Sequence, residues 1–224
     1  MKAPPELHEE FQAKLTDGTN ALYRTIRPDD KERIREGFKQ LSERTRYLRF
    51  FSYMEHLSDE QLHYLTDVDQ QMHVAWAVMD LDHPDVPGIG AGRFVRTEKN
   101  PENAEMAITV VDHYQHKGAG KTLFGVLYQR ARELNVRNLQ FYIMPSNRFL
   151  CSKLNELGAA IQYEEGIFNV ELPVYKDFSR FERDYKARYL RKLTHKIQQY
   201  RNKKQKGILE QLLEQLKKGG EFRG

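Results

Sequence analysis

Cysteine is nearly absent. The 224-residue chain has one, Cys151, which excludes an internal disulfide framework and a cysteine-built zinc site. Long apolar runs are missing too. No stretch approaches the ~20 residues of a membrane-spanning helix, and the N-terminus, MKAPPELHEEF, lacks the apolar core of a secretory signal. These absences predict a soluble, cytoplasmic protein with no membrane partner. No internal repeat is visible, which sets solenoids and propellers aside. Hydrophobic residues, at 39%, are fewer than in an average globular chain, and charged residues, at 30%, are more numerous. The length still suffices for one sizeable core, so the excess polarity belongs to a helix or tail.

That tail is C-terminal. Residues 176–224 hold 15 Lys/Arg against 6 Asp/Glu, whereas 1–175 hold 21 against 26. The basic character therefore lies outside the body. Phe181, Tyr185, Tyr189, Leu193, Ile197 and Tyr200 recur at helical spacing; Gly207 interrupts, and Ile208, Leu209, Leu212, Leu213 and Leu216 form a second stripe. The pattern predicts one long basic amphipathic helix and a short one. Two apolar stripes need cover, from the protein's own domain or from a second copy in a homodimer. Docking of an acidic protein comes second. Nucleic-acid binding comes last, because no recognisable module accompanies the charge.

Along the body, residues 1–20 read as a weakly amphipathic lead-in (Leu7, Phe11, Leu15), and 21–175 as the main domain. A strand at Ala21–Ile26 is stopped by Arg27-Pro28-Asp29-Asp30, which caps a helix through about Leu41. Ser58 and Gln61 stand as a capping box at the start of another short helix. Val74–Met79 is a strand buried on both faces, and Gly90–Arg96 is a second. Asn100-Pro101-Glu102-Asn103 reads as a turn. A central strand from Ala104 carries Met106, Ile108 and Val110 on one face, followed by a glycine loop and a helix from Lys121. Leu139–Met144 is a strand, Asn147–Leu157 a helix, and Ile161–Tyr163 with Ile167–Leu172 a closing hairpin. The order predicts a mixed α+β sheet and not a regular βαβ array.

The chemistry centres on Ala104–Leu134. A strand, a loop with Gly118 and Gly120, and a helix N-terminus form an anion-binding device: small residues admit the anion to the backbone N–H groups, and the helix dipole favours it. Gly118-Ala119-Gly120-Lys121-Thr122 mimics the end of a nucleoside-triphosphate P-loop, but the glycine that pattern needs five residues before Gly120 is Gln115. The alternative is Gln115-x-x-Gly118-x-Gly120.

That second pattern resembles the coenzyme A pyrophosphate loop of the GNAT superfamily of N-acetyltransferases, and the strand order of residues 21–172 resembles the GNAT fold. Ile26-Arg27-Pro28-Asp29-Asp30 and SERTRYLRFF (Ser42–Phe51) look like the acetyltransferase domain of Pat-type bacterial protein lysine acetyltransferases. The resemblance implies a GNAT fold with a mixed central β-sheet flanked by helices and a C-terminal helical extension over 176–224. It implies acetyl-CoA as donor, bound by Val110, Gln115, His116, Lys117, Gly118, Ala119, Gly120, Lys121, Thr122 and Asn147. It also implies Glu105 as the general base for transfer to a protein lysine or a small-molecule amine. A non-catalytic module binding CoA or a partner is the rival reading. Where many family members carry a tyrosine acid, seven residues after the asparagine, this chain has Leu154; Tyr142 and Tyr114 are substitutes for it.

Other groups have plainer readings. His113 and His116 flank the loop as solvated residues or phosphate contacts. No second His/Asp/Glu pair stands at ligand spacing, so no metal is expected. Cys151 reads as packing. Arg44, Arg46 and Arg49 either line the acceptor entrance, bind CoA phosphates or form a solvated face.

Overall fold

A computed structural model describes residues 8–220, with side chains through Lys203. Eight strands form one sheet: β1 (Glu10–Lys14), β2 (Asn20–Thr25), β3 (His73–Asp80), β4 (Gly90–Thr97), β5 (Asn100–Val110), β6 (Asn138–Ile143), β7 (Ala160–Glu164) and β8 (Ile167–Pro173). Their spatial order is β1-β2-β3-β4-β5-β6-β8-β7. Every neighbouring pair is antiparallel except β5 and β6, which run parallel. This is the expected mixed α+β sheet.

Two expectations about strands need correction. Residues 10–14, read as part of a lead-in, form edge strand β1, with Phe11 and Ala13 turned inward and buried. A five-residue strand whose alternation is inward apolar, outward polar looks in isolation like one face of a weak helix. Likewise, Asn100–Asn103 is not a turn. It is the first part of β5, which pairs with β4 down to Thr97↔Asn100 across a bulge.

Helices α1 (Lys31–Lys39), α2 (Glu43–Phe50) and α3 (Asp59–Thr66) precede β3. Ser42 caps α2 by accepting from the Thr45 amide, and Ser58 and Gln61 form the predicted capping box of α3. The three helices cover one face of the sheet, where Phe38, Leu41, Leu57, Leu62, Leu65 and Val111 make a small cluster. The main core lies on the other face. There α4 (Ala119–Glu133) places Leu123, Val126, Leu127 and Tyr128, all fully buried, against Trp76, Phe94 and Met106. Helix α5 (Arg148–Glu156) adds Leu154 to that core.

The C-terminal helix α6 runs from Tyr185 to Gly220 without a break at Gly207. Glycine weakens a helix without having to end it. The stripe at Ile208–Leu216 lies outside the described side chains. The first stripe is borne out in its second half, where Leu193 and Ile197 are buried and Tyr200 packs on the core; before them Ala187 and Leu190 are buried, whereas Phe181, Tyr185 and Tyr189 remain exposed. The buried line faces α4 of the same chain. Arg201 pairs with Glu9 at 2.6 Å and with Glu133 at 2.7 Å, and Tyr200 stacks on Phe11. One helix of the body thus covers the first tail stripe.

Gly125 makes that approach close. A Cβ there would lie 2.9 Å from Leu193 Cγ and 3.1 Å from Ile197 Cγ1. Gly125→Leu is expected to lower the thermal midpoint by several degrees and to raise protease sensitivity within 185–203, because α6 has to shift to admit the side chain. A melting curve and limited proteolysis check this; an unchanged digestion pattern would show α6 to be held elsewhere.

Candidate active site

Pairing between β5 and β6 is short. It runs from Asn103↔Asn138 to Glu105↔Gln140, and beyond that rung the register ends while β5 continues to Val110. The gap between the parted strands exposes backbone N–H and C=O groups of β5, which require partners. At its far end, Gln115 Nε2 donates to Val110 O at 3.0 Å, so two of the predicted cofactor residues meet.

The glycine loop then opens α4. Gly118 is the N-cap residue with φ +91°, a left-handed conformation that glycine adopts without strain. The amides of Gly118, Ala119, Gly120 and Lys121 are the four at the helix start that have no partner within it. No acidic residue lies in this first turn. A Cβ on Gly120 would sit 3.5 Å from Val110 Cγ2, between the helix start and the strand end. These features fit a pyrophosphate cradle beside an extended arm lying in the gap.

The remaining predicted cofactor residues divide. His116, at φ +60°, packs its ring edge-on to Phe149 at 5.4 Å, which draws the loop toward the start of α5. There Asn147 caps the helix by accepting from the Leu150 amide at 3.3 Å. Lys117 has other engagements: its Nζ is 3.1 Å from Asp17 Oδ2 and lies over the Tyr114 ring. Lys121 Nζ lies over the Tyr189 ring of α6. Thr122 donates its amide to Gly118 O at 3.1 Å.

Glu105 occupies the last paired rung of the β5–β6 pair. Alternation carries it, with Asn103 and Ala107, to the face opposite the main core. It is exposed there to a cavity of about 450 Å³ whose walls include Arg49, Tyr64, Arg93, Gln140 and Tyr142. Arg49, weighed in the sequence between solvent and the acceptor entrance, is on the cavity wall. Burial weakens its hold on a proton, and Glu105 opposes that effect. Arg46 instead donates to Glu55 O and lies over Phe38, and Arg44 is exposed.

Of the two tyrosines offered as acids, Tyr142 lines this cavity. Tyr114 gives its hydroxyl proton to Asp80 at 2.9 Å, and burial first, then Asp80, push it up to about 12. Leu154 is buried in the main core, so that position does not reach the cleft.

Sequence reading missed two parts of the site. One is a clamp: Asp112 accepts from Ser42 N, Ser42 Oγ and Thr45 Oγ1, while Gln115 Nε2 reaches Thr45 Oγ1 at 3.3 Å. It ties α2, which carries Arg49, to the glycine loop. The other is Arg93. Alternation with Ala91 and Val95 could have flagged it, as a cation on an otherwise apolar strand face. It is buried and donates to His73 Nε2 at 2.9 Å and to Leu65 O at 3.2 Å. Burial, then Arg49, push it down to about 9, so it stays a cation at neutral pH.

His73 must remain neutral to accept from Arg93, and burial, then Arg93, lower it to about 4. Unfolded, it titrates near its ordinary 6.5. Between those values the unfolded chain binds the extra proton, so stability is full above about 6.5 and declines as pH falls toward 4. His73→Gln, which can still accept from Arg93, is expected to flatten that part of the pH–stability curve. Melting temperatures from pH 7.5 to 4.5 test this, and an equal slope in both proteins would remove His73 as its source.

Among the described residues, no cluster of His, Cys, Asp or Glu could hold a metal, and no helix is long and apolar enough to cross a membrane. Cys151 is half-buried against the core, with its thiol pushed up by burial.

Comparison with known proteins agrees with this geometry. The family model described as an acetyltransferase (GNAT) domain matches residues 21–159. Acetyltransferase Pat of Mycolicibacterium smegmatis is 32% identical over 152 residues, covering 67% of this chain and 45% of that protein. Acetyltransferase PA5475 of Pseudomonas aeruginosa is 29% identical over 147 residues, covering 64% of this chain and 78% of the relative. The chain thus spans less than half of the first relative and most of the second. The crystal structure of the GNAT domain of S. lividans PAT superposes with a TM-score of 0.67 at 25% identity, covering 76% of this chain and 98% of that domain.

Proposed function

The chain belongs to the GNAT acetyltransferase family, whose acetyl donor is acetyl-CoA, and from that premise we propose that it acetylates a lysine side chain of a protein, with Glu105 as general base. The observation that carries this reading is the position of Glu105. It stands where β5 and β6 part, facing a cavity that opens to solvent.

Bound acetyl-CoA supplies an activated thioester. The chain's own groups do the rest. The first-turn amides of α4 hold the pyrophosphate, and β5 backbone in the gap holds the extended arm. From Val110 back to Glu105 is five strand residues, about 16 Å, so one strand spans from cradle to base. β5 amides facing the gap can donate to the thioester oxygen as it gains charge. A lysine amine near pKa ~10.4 arrives protonated; Glu105, directly or through water, removes that proton. The amine nitrogen then bonds to the acyl carbon, the C–S bond breaks, and CoA leaves as thiolate. Tyr142, on the same cavity wall, is the described tyrosine placed to give the thiolate a proton.

A protein acceptor is favoured over a small amine by the mouth of the cavity. Tyr64 and Tyr142 line it with 55% and 43% of their surface exposed, and large exposed aromatic groups are suited to protein contact. Helix α6, Tyr185–Gly220, reads as a basic extension of the sheet domain. The test is thiol release from acetyl-CoA with lysine-containing folded proteins, lysine peptides and polyamines in parallel. Release with folded proteins above that with polyamines supports the reading; release with polyamines alone reverses it.

A further inference from the structure

A second cavity, of about 110 Å³, lies beside helix α1 and the end of α2 on the Glu105 face of the sheet. Its floor is alanine: Ala77, Ala91 and Ala107, on three adjacent strands, with Ala77 opposite Ala91 and Ala107 opposite Arg93. Each alanine keeps part of its surface uncovered, although buried residues such as Trp76, Val78, Gly92 and Met106 adjoin them in the chain. Ile34, Phe38 and Phe50 form the roof. Native interiors seldom leave apolar space of this kind unfilled, and an apolar cavity of about 150 Å³ takes a benzene molecule.

The cavity adjoins the cleft. Ala107, Arg49, Phe50 and Arg93 belong to the walls of both. Ala107 is two residues from Glu105 on the same face of β5, so an acyl carbon attacked by an amine that Glu105 deprotonates would lie at the entrance to the alanine-floored space. Arg49 and Arg93 mark the rim where the two cavities meet; beyond them the exposed lining is mostly apolar, although the paired Arg24 and Asp30, with Arg33 and Thr109, also stand in the wall. A two-carbon acyl group ends at that rim. Two further methylene groups would occupy the space.

We propose that this cavity is an acyl-chain chamber, which accepts the alkyl end of a four-carbon CoA thioester, so that the enzyme transfers butyryl as well as acetyl groups. This rests on the reading of the cleft given above. The transfer has the same balance: a C–N bond forms to the acceptor amine, the C–S bond breaks, the ammonium proton passes to Glu105, and CoA leaves as thiolate.

The test is calorimetric binding of acetyl-, butyryl- and octanoyl-CoA to the full chain, which needs no acceptor and no turnover. Burial of two methylenes is expected to make butyryl-CoA bind about tenfold tighter than acetyl-CoA, with octanoyl-CoA losing that gain because the space is too small. Ala91→Leu and, independently, Ala77→Leu fill the floor away from Glu105. Each should abolish the butyryl advantage and leave acetyl-CoA binding unchanged. Butyryl-CoA binding no tighter than acetyl-CoA to the unmodified protein would overturn the chamber and leave the acetyltransferase reading intact, a result that requires no variant to fold. Failure of every CoA thioester to bind would overturn both readings. Equal loss of both ligands in both variants would also overturn the chamber.

Discussion

Glu105→Gln should lower kcat at least tenfold and leave the dissociation constant of acetyl-CoA within twofold. The amide keeps the size and most of the hydrogen-bonding capacity of the carboxylate but cannot take a proton, and general-base catalysis contributes about 10²- to 10⁴-fold. Glu105 faces the 450 Å³ cavity, whereas the α4 N-terminus that we propose holds the pyrophosphate lies beyond the other end of β5, so binding and turnover should separate in this variant. A second signature sharpens the test. If Glu105 is the base, the rate of the variant recovers toward high pH as free amine becomes available. Steady-state kinetics from pH 6 to 10, with calorimetry for the donor, read both. Unchanged turnover across that range would return Glu105 to the status of a solvent-facing charge.

Asp30→Ala should destabilise the fold by about 3–5 kcal/mol, the cost of leaving one partner of a buried ion pair without its counter-charge. Asp30 and Arg24 are 4% and 8% exposed, and two hydrogen bonds join them, at 2.7 and 2.5 Å. Asp30 also accepts the Arg27 amide at 2.8 Å, which fixes the chain at the entrance to α1. Burial pushes the Asp30 carboxyl up, but the Arg24 guanidinium outweighs it, and the net shift is downward. The removed carboxylate therefore strands a cation and a backbone donor together. The double variant Arg24→Met/Asp30→Leu should recover most of the loss, since an apolar pair of similar volume leaves no buried charge. Urea denaturation of the three proteins measures this. A single-variant loss below 1 kcal/mol would mean that water reaches the pair.

Much of the site was legible because it depends on local rules. A glycine with positive φ at a helix start, an amide-rich first turn and an alternating strand before it are set by residues within twenty positions of one another. Gln115 settled the choice between two loop types in the same way, and its side chain does bond to the end of the strand it follows. The capping box at Ser58 belongs to the same category, since a cap is an exchange of hydrogen bonds over three residues.

Other features depended on distant partners. The first turn of β5 was read as a loop because Asn100-Pro101 is a turn sequence, yet β4 pairs with it. The first tail stripe was placed on Tyr185, Tyr189, Leu193 and Ile197, of which the last two are buried, while Leu190 takes the place of Tyr189; helical spacing gives a face only to within a residue, and contact with α4 chose the line. Arg93 and His73, twenty positions apart, lie diagonally on neighbouring strands, Arg93 opposite Ala75 and His73 opposite Val95, where burial holds His73 neutral while Arg93, though lowered, stays charged.

By itself, then, the sequence determined most of the sheet-and-helix order, the glycine turn that opens α4 and the face of β5 on which Glu105 lies, because each follows from backbone period and short-range hydrogen bonding. Only the tertiary structure decided that β5 and β6 part at Glu105, that α2 is clamped to the glycine loop through Asp112, and that an alanine-floored cavity adjoins the cleft. Those features are set by which strands pair and where they stop, and by how closely a layer of helices can settle on them, which long-range packing alone fixes.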